Sequence, residues 1–327
     1  MNFDQTILNK IKTSAILITG GAGFIGSNLA GKLLNLKAKK VVIFDDLSTG
    51  FTNNIEEFRS HENFEFIEGS ITDLQACLKV SKNVDIVFHM AALGSVPRSI
   101  DNPIATNNVN VDGFVNMLWA AKENAVKKIV YSSSSSVYGD DKTIPKTENN
   151  IGNPLSPYAV SKRSNELYAN TFSDIYNMSI TGLRYFNVFG PKQNVKGAYA
   201  AVIPIFISKL LKNEQCQING DGKISRDFTY VDNVVYANIL AAFKSDNKKH
   251  ELLNIAMGDQ LSLNDLYYKL EEKISSGLSP IHKPARLGDI QNSRADITKA
   301  RQIIGYVPQV SVETGIEKTV NWYQSKN

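Results

Sequence analysis

Residues Ile18–Gly26 read ITGGAGFIG and follow the run AIL, Ala15–Leu17, without a break. A short apolar, β-branched run, three spaced glycines and then the helical pattern SNLAGKLLNL predict strand, tight turn and helix in succession. In that order Gly20 permits the turn, Gly23 lets a pyrophosphate come up to the backbone, and Gly26 lets the helix pack closely. The start of the helix, Phe24 and Ile25 with Gly26, then offers N–H groups and a positive dipole end to phosphate. Three glycines alone would also serve a plain structural turn. Their context decides for a dinucleotide, together with an acidic residue about 20 positions further on, Asp45, in VVIFDDLSTG. Asp45 can accept both hydroxyls of an adenosine ribose, and its charge repels a 2′-phosphate, which favours NAD over NADP. Asp46 reads as a turn residue or secondary contact.

Outward from this stretch, KVVIFD, FEFIEGS, VDIVFHMA and KKIVYSS alternate with helical segments. Strands separated by helices predict an α/β fold, a Rossmann-type doubly wound parallel sheet with helices on both faces. After about Met178 the alternation loosens, which predicts a smaller C-terminal α/β substrate lobe over the carboxyl ends of the sheet. The expected division is an N-terminal helical extension (1–14), a nucleotide-binding domain (15–186) and a substrate lobe (187–327). LLNIA near Asn254 is expected to return to the first lobe, so that the lobes interleave. Phe3, Ile7, Leu8 and Ile11 recur at helical spacing and predict a short amphipathic helix on the body.

The chain has 327 residues, 43% of them hydrophobic and 21% charged, enough for a large core. Its formal net charge of +4 is spread along the sequence, so it leaves no footprint for nucleic acid or an anionic membrane. Cys77 and Cys216 have neither metal-ligand nor disulfide-framework spacing, which predicts a reducing compartment, the cytoplasm. No signal-like or membrane-spanning apolar run occurs. His61, His89, His250 and His282 are dispersed and lack zinc spacing, so no metal is expected, and His89 reads as a packed imidazole at a strand end.

The chemistry is expected in YSSSSSVYGDD, Tyr131–Asp141, and SPYAVSKRSNELYANTF. Tyr158 and Lys162 stand four residues apart, on one helix face. A phenol with a pKa of about 10 is a poor base at neutral pH, but a nearby ammonium and the positive nicotinamide ring both favour phenolate. Tyr158 could then remove a hydroxyl proton, with a serine passing or sharing it.

Together these motifs resemble the extended short-chain dehydrogenase/reductase family, from about Ala15 to the C-terminus. Aligning VYG with the family pattern puts the catalytic hydroxyl at Ser134 and places Ser135 and Ser136 in the substrate pocket; Ser132 and Ser133 receive no chemistry. The resemblance implies that Lys162 holds the nicotinamide ribose and that Ser48, Gly50, Ser70, Ile71, Ala91 and Tyr185 complete the cofactor's surroundings. Ser70, in EGSIT, stands where the family usually has an adenine-contacting aspartate. Nearby Asp73 is expected to cap a helix.

Within the family, the second half resembles the nucleotide-sugar 4-epimerases. That resemblance implies diphosphate contacts from Asn187, Arg226 and Arg286, the arginines suited by their planar fork, and a uridine-ribose contact from Asp289. AALGSVPRSI resembles a subgroup acting on N-acetylated UDP-hexoses, in which Gly94 and Ser95 face the sugar with Gln193, Ala201 and Val202. Ser293 stands where enzymes restricted to non-acetylated sugars carry a tyrosine. No residue of QCQINGDG is assigned to stack on uracil. Sugar-nucleotide dehydratases carry an Asp-Glu pair where Ser135 and Ser136 stand, and decarboxylases a glutamate not found here, which argues against both reactions.

The expected activity is 4-epimerisation of UDP-N-acetylglucosamine to UDP-N-acetylgalactosamine through a 4-keto intermediate with bound NAD. Its rivals are the same reaction on UDP-N-acetylglucosaminuronic acid or UDP-glucose, net oxidoreduction of a nucleotide sugar, and a non-catalytic nucleotide-binding protein. FVNMLWAAKENA and PYAVSKRSNELYANTF have apolar faces, and the resemblance implies a homodimer through a four-helix bundle.

Overall fold

The structure, a computed structural model, describes residues 2–195, 201–244, 249–284 and 292–326. Six strands, β1 (Ala15–Thr19), β2 (Lys40–Asp45), β3 (Phe64–Glu68), β4 (Ile86–His89), β5 (Lys128–Ser134) and β6 (Ile180–Tyr185), pair in parallel, and His250–Ile255 adds a seventh beside β6. The spatial order is β3-β2-β1-β4-β5-β6 and then His250–Ile255. The chain therefore builds outward from β1 to β3 and returns to lay β4 on the other side of β1. Connections leave β1 and β4 in opposite directions, which opens a crevice at their carboxyl ends.

Nine helices position the site among the described residues: α1 (Gln5–Thr13), α2 (Phe24–Asn35), α3 (Leu74–Val80), α4 (Val96–Asp101), α5 (Pro103–Asn107), α6 (Gly113–Glu123), α7 (Pro157–Tyr176), α8 (Val202–Leu211) and α9 (Val231–Phe243). Strand side chains alternate between two cores. Ile16, Ile18, Val41 and Ile43 pack with Leu29 and Leu33 of α2 and Val234 of α9. Leu17, Val42, Phe44 and Val87 pack with Cys77 of α3, Phe114 and Leu118 of α6, and Ala169 of α7. Both sheet faces are thus covered, as in a doubly wound α/β protein, and each buried Leu, Ile or Phe side chain contributes roughly 1.5–3 kcal/mol.

Asp4 caps α1 by accepting from the Ile7 N–H at 2.8 Å. Ile7 and Ile11 are buried, Phe3 lies 5.2 Å from the Tyr236 ring on α9, and Lys10 donates to the Phe243 carbonyl at 3.1 Å. At the other end of the chain a buried carboxylate joins three segments. Asp227 Oδ1 accepts from Met257 N at 2.9 Å, and its Oδ2 accepts from Gly258 N at 3.0 Å and Ala295 N at 3.1 Å. Burial pushes its pKa up to about 7, against the pull of those three N–H groups.

Candidate active site

A cleft of about 610 Å³ opens at the crevice between β1 and β4. Gly20, the first residue after β1, has φ +66°, and a Cβ there would lie 2.6 Å from the Ala91 backbone. A Cβ on Gly26 would lie 2.3 Å from the Gly20 carbonyl oxygen, so turn and helix close on each other only as glycines. Gly23 stands at the N-cap of α2 and supplies no side-chain cap to the first helical N–H groups, which leaves them for an anion. Asp45, at the end of β2, is buried; its Oδ2 accepts from Ala22 N and its Oδ1 from Leu47 N, both at 2.9 Å. Burial raises its pKa while both N–H bonds pull it down. A carboxylate has about four lone-pair sites, so two bonds leave capacity for a ribose diol. This uncapped helix end, glycine cradle and partly committed carboxylate fit the pyrophosphate and adenosine ribose of NAD.

Gly20, Gly23, Phe24, Ile25, Gly26, Asp45, Asp46, Ser48, Ile71 and Ala91 line the cleft. Asp46 Oδ1 also accepts from Ser48 N at 3.0 Å, the turn expected of it. Gly50 and Ser70 lie outside the lining. Gly50 backs Asp45, where a Cβ would come within 2.9 Å of Oδ1, and Ser70 pairs with Thr72 at 3.0 Å. Asp73 caps α3, accepting from Gln75 N and Ala76 N.

Further along the same wall stand Ser134, Ser135, Tyr158, Lys162 and Tyr185. Ser134 ends β5, and Tyr158 and Lys162 share one face of α7, which Ser156 caps by accepting from Ala159 N. Burial pushes the Tyr158 phenol above its ordinary value, and a hydrogen bond with Ser134 pulls it back. Lys162 lies 2% exposed, and burial lowers its pKa to about 8, with Glu166 opposing that fall. Its Nζ donates to the Ser132 carbonyl at 2.7 Å and to Ser132 Oγ at 3.2 Å, and sits 6.0 Å from the Tyr158 ring centre. In the protein alone burial therefore keeps the phenol neutral, and the downward shift expected of it does not occur. Tyr185 is braced from α9, donating to Asn238 Oδ1 at 3.0 Å. His89, 2% exposed, meets Thr19 Oγ1 through Nδ1 at 3.0 Å and is held neutral, its pKa lowered to about 3 by burial and by Lys162.

At the sugar end Gly94, Ser95, Asn187 and Ala201 line the cleft, as do Arg98 and Asn194, which the sequence reading had not singled out. A second cavity of about 210 Å³ is lined by Asn187, Val202 and Arg226, with Phe206 and Phe228. Phe206 belongs to α8, and Phe228 directly follows Asp227. Asn187 is fixed by its own amide, Nδ2 donating to the Asp227 carbonyl at 3.1 Å.

Three expected contacts fall elsewhere. Ser136 is outside the lining; its N–H donates to Ser134 Oγ at 3.1 Å, which turns the chain into a short 3-10 helix and its own hydroxyl inward. Gln193 folds back, Nε2 donating to the Val188 carbonyl at 3.2 Å. Ser293 lines neither cavity and its N–H donates to the Ser225 carbonyl at 3.2 Å. Arg286 and Asp289 lie outside the described residues. Among the described residues no group of His, Cys, Asp and Glu could hold a metal ion, and no helix is long and apolar enough to cross a membrane.

Comparison with known proteins agrees with this geometry. The putative UDP-glucose 4-epimerase of Methanocaldococcus jannaschii is 38% identical over 314 residues, covering 95% of this chain and 99% of its own. The structure of UDP-N-acetylglucosamine 4-epimerase from Methanobrevibacter ruminantium M1, in complex with UDP-N-acetylmuramic acid, superposes with a TM-score of 0.92 at 39% identity, covering 97% of this chain and 100% of that one. That of UDP-glucose 4-epimerase from Thermotoga maritima, with UDP-glucose, has a TM-score of 0.89 at 37% identity, covering 95% and 99%. Residues 16–256 match the NAD dependent epimerase/dehydratase family, and the chain belongs to it: an NAD-dependent enzyme of the epimerase type.

Proposed function

We propose that this enzyme is a UDP-N-acetylglucosamine 4-epimerase, with residues from 187 onward forming the lobe that holds the UDP-sugar. The observation that carries the reading is the meeting, on one cleft wall, of Tyr158, Ser134 and Lys162 with the glycine turn and Asp45. Tyr158, hydrogen-bonded to Ser134, takes the proton from the sugar 4-hydroxyl and returns it after the 4-keto sugar has turned its other face to the wall. NAD, when bound, would supply the hydride acceptor and donor for C4. Lys162 holds the nicotinamide ribose and supplies the positive field that makes a buried phenol acidic enough to act. Arg226 and Asn187 bind the diphosphate, with Phe206 and Phe228 walling the second cavity for the uracil. Anchoring far from C4 lets the intermediate rotate without escaping. Small residues at Gly94, Ser95 and Ala201 leave room for an acetamido group.

One observation favours a second reading. Arg98 lines the cleft beside Ser95, and a guanidinium there suits a C6 carboxylate, as in UDP-N-acetylglucosaminuronic acid. The purified enzyme, with no cofactor added, is to be followed by NMR on UDP-N-acetylglucosamine, on the uronate and on UDP-glucose. Signals of the galacto epimer from the first, at the highest kcat/KM of the three, are expected. Tyr158→Phe is expected to lower kcat by about 10²–10⁴-fold. A uronate preferred over the neutral sugar selects the second reading, and a fully active Tyr158→Phe refutes the proton-transfer role.

A further inference from the structure

Three consecutive serines at the end of β5 each meet a different turn of α7. Ser134 bonds the Tyr158 hydroxyl, Ser132 accepts twice from Lys162 Nζ, and Ser133 Oγ donates to Glu166 Oε1 at 2.7 Å. Tyr158, Lys162 and Glu166 are spaced four apart and so form one stripe down the helix. The lowest rung continues to the neighbouring strand through an ion pair. Arg184 of β6 grips Glu166 with two bonds, Nε to Oε1 at 2.8 Å and Nη2 to Oε2 at 2.9 Å, and both side chains are 0% exposed. Arg184 Nη1 continues to the Tyr138 hydroxyl at 3.1 Å and the Glu148 carbonyl at 2.9 Å. Tyr138 in turn donates to Asn254 of the last sheet strand at 2.6 Å.

We propose that Glu166, seated between Ser133 and Arg184, is a positioning residue for the reaction: it locks the register of α7 against β5 and keeps Lys162 charged beside Tyr158. The inference rests on the reading of Tyr158 and Lys162 as the working pair. Ser132 and Ser133 then acquire a role as the strand half of the lace.

The charges around this stripe are consistent with that role. Lys162 faces His89 from β4, which is neutral, and Tyr158 and Glu166 from its own helix. Glu166 faces Arg184 from β6, Arg163 from its own helix, Tyr131 from β5 and His250 from the last strand. Tyr138 and Glu148 lie on the far side of Arg184. Glu166 is held ionised below its ordinary pKa, since the Arg184, Ser133 and Arg163 bonds outweigh its burial. Its negative charge raises the pKa of Lys162, which burial alone would lower further. Loss of that charge therefore discharges Lys162 at a lower pH.

The test is Glu166→Gln in the holoenzyme, with two readouts. NMR titration of isotope-labelled lysine, with the Lys162 signal assigned by its loss in Lys162→Met, is expected to show the Lys162 midpoint falling by about one pH unit or more. The alkaline limb of kcat is expected to move down by the same amount, with KM unchanged. Ser133→Ala, which spares the ion pair, gives a smaller shift in the same direction, and Glu166→Asp, which keeps the charge, restores most of the limb. Because Glu166→Gln strands a buried guanidinium, the double variant Glu166→Gln with Arg184→Met carries the same measurement if the single one does not fold. A Lys162 midpoint unmoved in the folded variants, with only Tm reduced, overturns the proposal. If the wild type epimerises none of the three nucleotide sugars, the assigned reaction fails, while the lysine titration still decides whether Glu166 controls Lys162.

Discussion

Single side chains divide into those whose partners are near in sequence and those whose partners are not. Tyr158 and Lys162 were legible because helical spacing alone puts them on one face, and Asp45 because the βαβ unit fixes where its strand ends. Ser133, Glu166 and Asp227 were not, since their meaning lies in partners 18 to 68 residues away. Asp227 sits between an arginine and a phenylalanine in SRDF and offers no local sign that its oxygens gather N–H groups from two distant segments. Its burial has a pH consequence. The native carboxyl keeps its proton up to about pH 7, whereas the unfolded one releases it near about 4. The stability this proton lends is present below about 4 and lost as pH rises through about 7. Asn at this position cannot titrate, and its NH₂ cannot accept the Gly258 and Ala295 N–H bonds, which should cost about 1–3 kcal/mol. Urea midpoints of wild type and Asp227→Asn should therefore lie furthest apart near about pH 4 and draw together toward about pH 8.

Elements were read well where apolar runs and glycines spoke together. The five strands β1 to β5 fall on the runs that predicted them, and α2 starts at Phe24, directly after the glycine turn. What the sequence did not disclose is the irregular backbone near the sugar end: the left-handed φ of +34° at Asn187 and the π-helical turn Asn108–Asp112 that joins α5 to α6. Such features arise from tertiary packing and leave little trace in periodicity. The glycine turn permits a sharp prediction. In Gly26→Ala the new methyl meets the backbone of the turn, Gly20 O at 2.3 Å and Gly21 Cα at 2.7 Å. Neither can move without opening the phosphate turn, so overpacking of about 1–3 kcal/mol is expected. Purified Gly26→Ala should carry less NAD than wild type, measured by release on acid denaturation, and melt at lower temperature.

At the scale of the whole molecule, the substrate segments do not hang from the nucleotide sheet as a separable piece. His250–Ile255, which follows α8 and α9 in sequence, completes the sheet beside β6. The apolar side chains left outside are concentrated on α4, α5 and α7, where Ile100, Ile104, Val160, Leu167 and Ile175 are exposed, Ile104 at 82%. Exposed apolar side chains on α7, with Trp119 of α6, favour an interaction surface, and a second copy of the chain, packing α6 and α7 against their equivalents, is the occupant proposed. Light scattering should give a dimer for wild type and a monomer for Trp119→Glu combined with Leu167→Glu; a wild-type monomer would refute the pairing. The late seventh strand also governs how the protein comes off the ribosome. A nascent chain that has already made the glycine turn and the Tyr158 helix still lacks one neighbour for β6, and the Tyr138 hydroxyl still lacks Asn254. Truncation anywhere before residue 255 should hence give aggregates rather than a smaller working nucleotide binder.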